Sequence, residues 1–325
     1  MTERNRLEKV ELELQPAAKR ILVVYYSQSG DVAKILETFV APIKNLPNVE
    51  LVVERVEPRE PYPFPWRTLT RLLSVFPECH RGGGTGIRPL SIQADPPFDL
   101  VILAYQVWFL APSLPIQDFL RSEHARVLRN ARVITLCVSR NMWHSGSETM
   151  KQMLRHAGAL HLDNIVVNHQ GPPWATFVSV PRLLLTGKRD RFLGVFPPAE
   201  VGSQDLDRVR RLGEATADRL RRSGDDWPTG PLLKGMGAVH VNPRYIVPEL
   251  VGWYLYQAGT GAVLFAERFG RWGRWLAIRL FAASLLAAVL MGVPLILLTV
   301  LVSYPFVSRS ISRYALRLAE PSGEA

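Results

Sequence analysis

The sequence predicts an α/β protein: a doubly wound, five-stranded parallel sheet followed by a membrane-associated helical tail. Three observations lead there. Apolar, β-branched runs of strand length alternate with stretches of helical period, as in strand–helix–strand units. Several of those runs are apolar at every position, as strands covered on both faces must be. The 325-residue chain is 47% hydrophobic, and its excess gathers near the end rather than spreading evenly.

The first strand is RILVVYY, Arg20 to Tyr26, a continuous β-branched and aromatic run. Val49 to Val56, Asp99 to Tyr105, Ala131 to Ser139 and Leu162 to His169 supply four more. Helices are predicted over Asp31 to Ala41, Pro115 to Glu123, Ser145 to His156 and Ser203 to Arg222. The last of these turns Leu206, Val209, Leu212, Ala215 and Leu220 inward and an arginine-rich face outward. Glu57 to Pro97 is rich in Pro, Gly and Arg and reads as a long excursion with one helix, Trp66 to Phe76. Residues 1–222 thus form the sheet domain. Residues 223–274 lack a clear period and read as a linker and juxtamembrane segment, 275–308 as the membrane segment, and 309–325 as a basic tail.

Leu280 to Ser308 contains no charged residue, and about 20 apolar residues suffice to cross a bilayer as a helix. Arg268, Arg271, Arg274 and Arg279 precede it, and Arg309, Arg313 and Arg317 follow it. Positive residues on both flanks leave two topologies open, a re-entrant hairpin broken at Gly292-Val293-Pro294 or a single Pro-kinked span. Trp253, Tyr254, Tyr256, Trp272, Trp275 and Tyr304 suit interfacial anchors. The first 16 residues are charged and lack the apolar core of a signal peptide. The expected place is therefore the inner (cytoplasmic) membrane, with membrane lipid as partner and the catalytic domain facing the cytoplasm. Deleting Trp275 onward is expected to free the chain and leave the sheet domain folded.

Lys and Arg number 39 against 29 acidic residues, a net +10, and only 7 of the 39 are Lys. No helix-turn-helix, RNP or zinc-finger pattern accompanies them, so a nucleic-acid partner is not expected. Cys79 and Cys137 are too few for a disulfide framework or a four-ligand zinc site. His80, His156 and His161 lack metal-ligand spacing, and no Gly-x-Ser-x-Gly occurs.

The chemistry gathers where strands end. The first runs into Ser27-Gln28-Ser29-Gly30-Asp31 before a helix, where hydroxyls and unpaired N–H groups suit a phosphate. A plain helix cap is the competing reading. After the third strand come Gln106, Val107, Trp108 and Phe109; Trp108 is either a ring-stacking residue or core. The fourth ends in Ser139, Arg140, Asn141, Met142 and Trp143, then His144, which is either a site residue or a helix-start cap. In open α/β sheets ligands bind beyond the carboxyl ends of the strands.

Ser27 to Asp31 resembles the flavodoxin phosphate loop, except that Val32 stands where flavodoxins usually have Thr or Asn. Together YYSQSG, YQVWFLAPSLP, SRNMWHSG, FPPAE and the apolar tail resemble the flavodoxin-like dialkylresorcinol condensing enzymes, from Arg20 to about Phe306. The resemblance implies a flavodoxin-like fold binding FMN through Ser27 to Asp31, Gln106 to Phe109 and Ser139 to Trp143. It implies a lipid-like cyclic dione as substrate, made by a ketosynthase and aromatised to a dialkylresorcinol. Arg140, Asn141 and His144 would then stabilise an enolate oxygen as catalytic residues; no metal is implied. A membrane-anchored NAD(P)H:quinone reductase and a flavodoxin-type electron carrier are the alternatives.

Overall fold

The computed structural model describes residues 18–93, 95–222, 230–292 and 308–323. In chain order, β1 is Lys19–Tyr25, α1 Asp31–Lys44, β2 Val49–Arg55, α2 Leu69–Leu73 and α3 Phe76–Arg81. Then come β3 Leu100–Trp108, β4 Ala111–Pro112, α4 Leu114–Arg121, β5 Arg132–Ser139, α5 His144–His156 and β6 Leu160–Asn168. The helices α6 Pro173–Thr186, α7 Ser203–Arg222, α8 Pro243–Ala266 and α9 Gly270–Ala287 follow, with α10 over 308–319.

The sheet order is β2-β1-β3-β5-β6, all parallel, with the two-residue β4 antiparallel to β3. Counting only the parallel strands, that is 2-1-3-4-5, the flavodoxin-like order. All five strands fall on the predicted strand segments; β1, β3, β5 and β6 are largely buried, whereas the edge strand β2 has no fully buried residue.

Alternation within β1 sorts the core into two layers. Ile21 and Val23 face α1 and α7, meeting Ile35, Phe39 and Leu212. Leu22 and Val24 face the opposite layer, where Ile116 and Phe119 of α4 and Met150 and Leu154 of α5 close the core. Each such fully buried chain contributes about 1.5–3 kcal/mol. A Cβ at Gly213 of α7 would run into the Phe39 carbonyl of α1, so close approach of these helices requires glycine there.

Three segments differ from expectation. The excursion after β2 holds two short helices, α2 and α3, because Thr68 caps the first by accepting the Arg71 N–H, and Pro77 starts a second. Helix α6 has no counterpart in the sequence reading, since Pro181 interrupts its pattern. The stretch read as a linker is largely α8, whose apolar residues surround the helix and so show no period.

Helices α8 and α9 fold back on each other. The connection is a 3-10 turn over Glu267–Phe269 ending at Gly270, whose φ of 77° favours glycine. Gly259 faces the Phe281 ring and Gly273 faces the Ala266 carbonyl, an antiparallel pairing. Phe76 of α3 stacks on Phe281 at 4.2 Å between centroids, joining the hairpin to the excursion. Arg274 adds a second tie, donating to Glu78 at 3.0 Å and to the Ser74 carbonyl at 2.7 Å. Within Pro243–Gly292, the most apolar 18-residue window has a mean hydropathy of 1.9 and is by length and composition able to cross a membrane. Residues 293–307, the second half of the predicted membrane segment with Val293, Pro294 and Tyr304, lie outside the described residues.

Residues 308–323 are not a free tail. Ile311 and Leu318 pack on Ile246, and Ser322 is buried against β6. Deletion from Trp275 onward therefore strips part of the sheet domain's own core, contrary to the expectation that the domain would stand without it.

Candidate functional site at the carboxyl edge of the sheet

The β1–α1 turn is the first part of the site. Gly30 has φ +93°, which turns the chain so that α1 begins at Asp31. The N–H groups of Gln28 to Val32 donate to nothing among the described residues, leaving a row of donors at a helix N-terminus. Ser27 Oγ accepts the Ala33 N–H at 3.3 Å, the role of a helix cap. Val32 is fully buried in the core beneath β1, so it offers the turn no polar group.

Asp31 lies at the centre of a charged cluster that no motif indicated. Arg189 Nη1 donates to Asp31 Oδ1 at 2.6 Å, and Ser29 Oγ donates to Oδ2 at 2.7 Å. His169, from the end of β6, places Nε2 3.5 Å from Oδ2 and Nδ1 3.2 Å from the Ser139 carbonyl. Burial alone would raise the Asp31 carboxyl; the hydrogen bonds from His169 and Arg189 outweigh it and hold it near about 2. Arg189 also donates to the carbonyls of Ser29 and Ala199. The free N–H row and the Ser27 hydroxyl form a donor set that fits a phosphate monoester, with Arg189 and His169 as basic groups beside it that here face Asp31. Asp31 is the one acidic member, and its charge is already matched by Arg189.

The second part is an apolar cavity of about 370 Å³ reached from the same edge. Gln28, Val107, Trp108, Phe109, Arg140 and Met142 form its sheet side, so the turns after β1, β3 and β5 meet there. Phe177, Val180 and Leu184 of α6 and Leu69, Leu72 and Leu73 of the excursion form its sides. Val251, Leu255 and Tyr256 of α8, with Leu285, Ala288 and Val289, close it from the hairpin.

Trp108 is held edge-on by Tyr62 at 5.1 Å and Tyr26 at 5.9 Å, so it is a packed wall residue of the cavity. Phe109 and Leu110 form the two-residue turn between β3 and β4 with φ of 50° and 64°, costly for residues with side chains. The turn presents both side chains to the cavity, and His80 Nε2 braces it 2.8 Å from the Phe109 carbonyl. Gln28 Nε2 donates to the Pro63 carbonyl at 3.0 Å. Gln106 leaves its Nε2 buried without a partner among the described residues.

Arg140 is the cation of the cavity. Its guanidinium lies 3.8 Å from the Phe177 ring centroid and makes no salt bridge among the described residues. Burial pushes its pKa down to about 10, with Tyr256 opposing the shift, so it stays charged at neutral pH. An unpaired cation in an apolar wall favours an anionic guest.

No protein-family model matches this chain, and no curated protein matches it. Solved structures do. A flavoprotein in complex with FMN from Lactobacillus acidophilus is 20% identical over 46% of this chain and 93% of its own, with a TM-score of 0.37. A flavodoxin from the domain Archaea is 12% identical over 62% of this chain and 99% of its own, TM-score 0.33. A WrbA-like flavodoxin from Agrobacterium tumefaciens is 12% identical over 63% and 98%, TM-score 0.33. The fold here is flavodoxin-like on its strand order.

The loop after β5 divides between two places. Arg140 and Met142 line the apolar cavity, whereas Asn141 and Trp143 line a separate one of about 410 Å³ with Asn168 and His240. Asn141, at φ 74°, donates from its backbone N–H to Asn168 and from Nδ2 to Thr176. Ser139 Oγ donates to Asn168 Oδ1 at 2.6 Å, pinning the loop's start. His144 is buried, with Nδ1 2.7 Å from Glu249 Oε2 of α8. Neither Asn141 nor His144 lines the apolar cavity, which corrects their expected catalytic placement: Asn141 is held by Asn168 and Thr176, and His144 lies against Glu249, while Met142 between them does line it. Arg189, His169, Phe177 and Tyr256 are the site residues that the sequence alone did not indicate.

Proposed function

We propose that this chain is an FMN-dependent oxidoreductase that aromatises a lipid-like cyclic dione to a dialkylresorcinol at a membrane surface. The observation that carries this reading is the mainly apolar cavity at the carboxyl edge, into which Arg140 brings a cation without a salt bridge among the described residues. Ser27 to Asp31, Arg189 and His169 would hold the FMN phosphate, and Gln28, Trp108, Arg140 and Met142 would border its ring. FMN, when bound, supplies a two-electron acceptor.

Conversion of the dione to the resorcinol removes two hydrogens from the ring. A 1,3-dione loses a C–H proton readily to give an enolate, and Arg140 would stabilise that oxygen in a site without bulk water. The hairpin wall of α8 and α9 suits alkyl chains, and a ketosynthase would supply the ring. Helices α2, α3, α8 and α9 cover the edge at which an electron carrier must meet its partners, which favours an enzyme. The same exposed apolar hairpin supports contact with membrane lipid. Two free, buried cysteines suit a reducing compartment, and this reading has the sheet domain facing the cytoplasm at the inner membrane.

The test is anaerobic. Adding a long-chain 2,5-dialkylcyclohexane-1,3-dione to the flavin-loaded protein should bleach the flavin absorbance. If the dione leaves the protein yellow while NAD(P)H plus a quinone turns over, aromatisation fails and quinone reduction replaces it.

A further inference from the structure

The chain leaves the sheet domain at α8 and comes back to the same domain at α10. On the way out it is tied by Glu249, which is 1% exposed. Glu249 Oε1 accepts the Ser145 N–H of α5 at 2.6 Å. On the way back, Lys151 Nζ of α5 donates to the Leu318 carbonyl at 3.1 Å. The Ser322 hydroxyl donates to Asp163 Oδ1 at 2.8 Å and accepts the Asn164 N–H of β6 at 2.7 Å. Asp163 and Asn164 are fully buried and Ser322 is 1% exposed, so these are core contacts. Asp163 also accepts the N–H groups of Leu232 and Leu233, which places Ser322 within a satisfied polar network of the domain.

A chain fixed to one domain at both Glu249 and Ser322 crosses a bilayer an even number of times between them, zero included. An odd number would put Ser322 on the opposite side of the membrane from Asn164. Between the two ties, the hairpin turns Phe265, Phe269, Trp272, Leu280 and Leu290 outward at 58–74% exposure. Arg268, Arg271 and Arg279 are exposed among them, and Arg309 and Arg313 are exposed on α10. An apolar face set among arginines is complementary to a bilayer with anionic headgroups.

We propose that the chain engages the bilayer from one side only. The outer face of α8 and α9 contacts lipid, and residues 308–323 return to complete the sheet domain on the side where it began. This rests on the membrane reading above and selects the hairpin class of topology over the single span.

The experiment uses the full chain in sealed membrane vesicles and a membrane-impermeant maleimide. Cys79 and Cys137 are buried, so the unmodified chain is the blank. Glu37→Cys on α1 and Ser312→Cys on α10, both at exposed positions, are made separately. The expected result is that the two are labelled together or protected together, with detergent exposing both. Opposite protection overturns one-sided engagement while leaving lipid contact intact. Recovery of the chain in the soluble fraction overturns the lipid contact itself. As a second measurement, Ser322→Ala should lower the thermal midpoint by about 2–4 °C. A midpoint equal to that of the unmodified chain would mean that α10 is not docked.

Discussion

Arg189 Nη1 sits 2.6 Å from Asp31 Oδ1, although 158 residues of chain separate the two. The contact places a guanidinium from the α6–α7 connection directly over the N-terminus of α1, where the free N–H groups of the turn converge. Replacing Arg189 with Ala removes a charge-assisted donor worth about 1.5–3 kcal/mol. FMN affinity should then fall on the order of 10- to 100-fold in a fluorescence titration. Affinity equal to that of the unmodified chain would place the phosphate elsewhere.

The same pair fixes an acid limit. Asp31 ionises in the folded chain near about 2, against an ordinary carboxyl value of 3.8. A depressed folded pKa stabilises the fold above the ordinary value, and that stability is lost as pH falls through the folded one. The contribution is about 2 kcal/mol and disappears as pH falls from about 4 toward 2. Melting curves of the unmodified chain should drop more steeply across that window than those of Asp31→Asn. Parallel curves would show that Arg189 and His169 do not hold the carboxylate in solution.

Arg140 tests the chemistry separately from binding. Arg140→Ala should slow dione-driven bleaching on the order of 10²-fold if the guanidinium stabilises one developing negative charge. FMN should still bind, and the rate is compared per flavin-loaded molecule. With its pKa pushed down to about 10, the bleaching rate should fall as pH rises through that value. A rate independent of the Arg140 side chain would remove it from the reaction.

His144 and Glu249 are expected to serve the fold. Both are almost fully buried and lie 2.7 Å apart, and leaving a buried polar group without its neighbour costs about 1–3 kcal/mol. His144→Ala should lower the thermal midpoint while the bleaching rate per folded, flavin-loaded molecule is retained. A slowed rate at an unchanged midpoint would return His144 to the site.

Strands were legible because Ile21 to Val24 and Leu100 to Tyr105 are apolar at every position, and burial on both faces leaves that mark. The Ser203–Arg222 helix was legible to its bounds because one face alone is apolar. Helix α8 was not, since it packs apolar residues all round between the sheet edge and its open face. Ser27 to Asp31 could be found because the turn is local in sequence. Its partners Arg189 and His169 could not, because only the folded sheet brings the ends of β6 and the α6–α7 connection to β1. Asn141 and His144 were misplaced for a related reason. A loop's sequence does not say which partners its side chains will meet, and here Asn141 turns to Asn168 and Thr176 and His144 to Glu249, while Met142 between them reaches the cavity.

The visible absorption spectrum of the full chain purified in detergent, before and after addition of FMN, tests the central claim most directly. A flavin spectrum with about one FMN per chain, quenched in fluorescence on binding and lost in Ser29→Glu through repulsion of the phosphate, is the predicted result. A colourless protein that leaves added FMN fluorescence unchanged would contradict it.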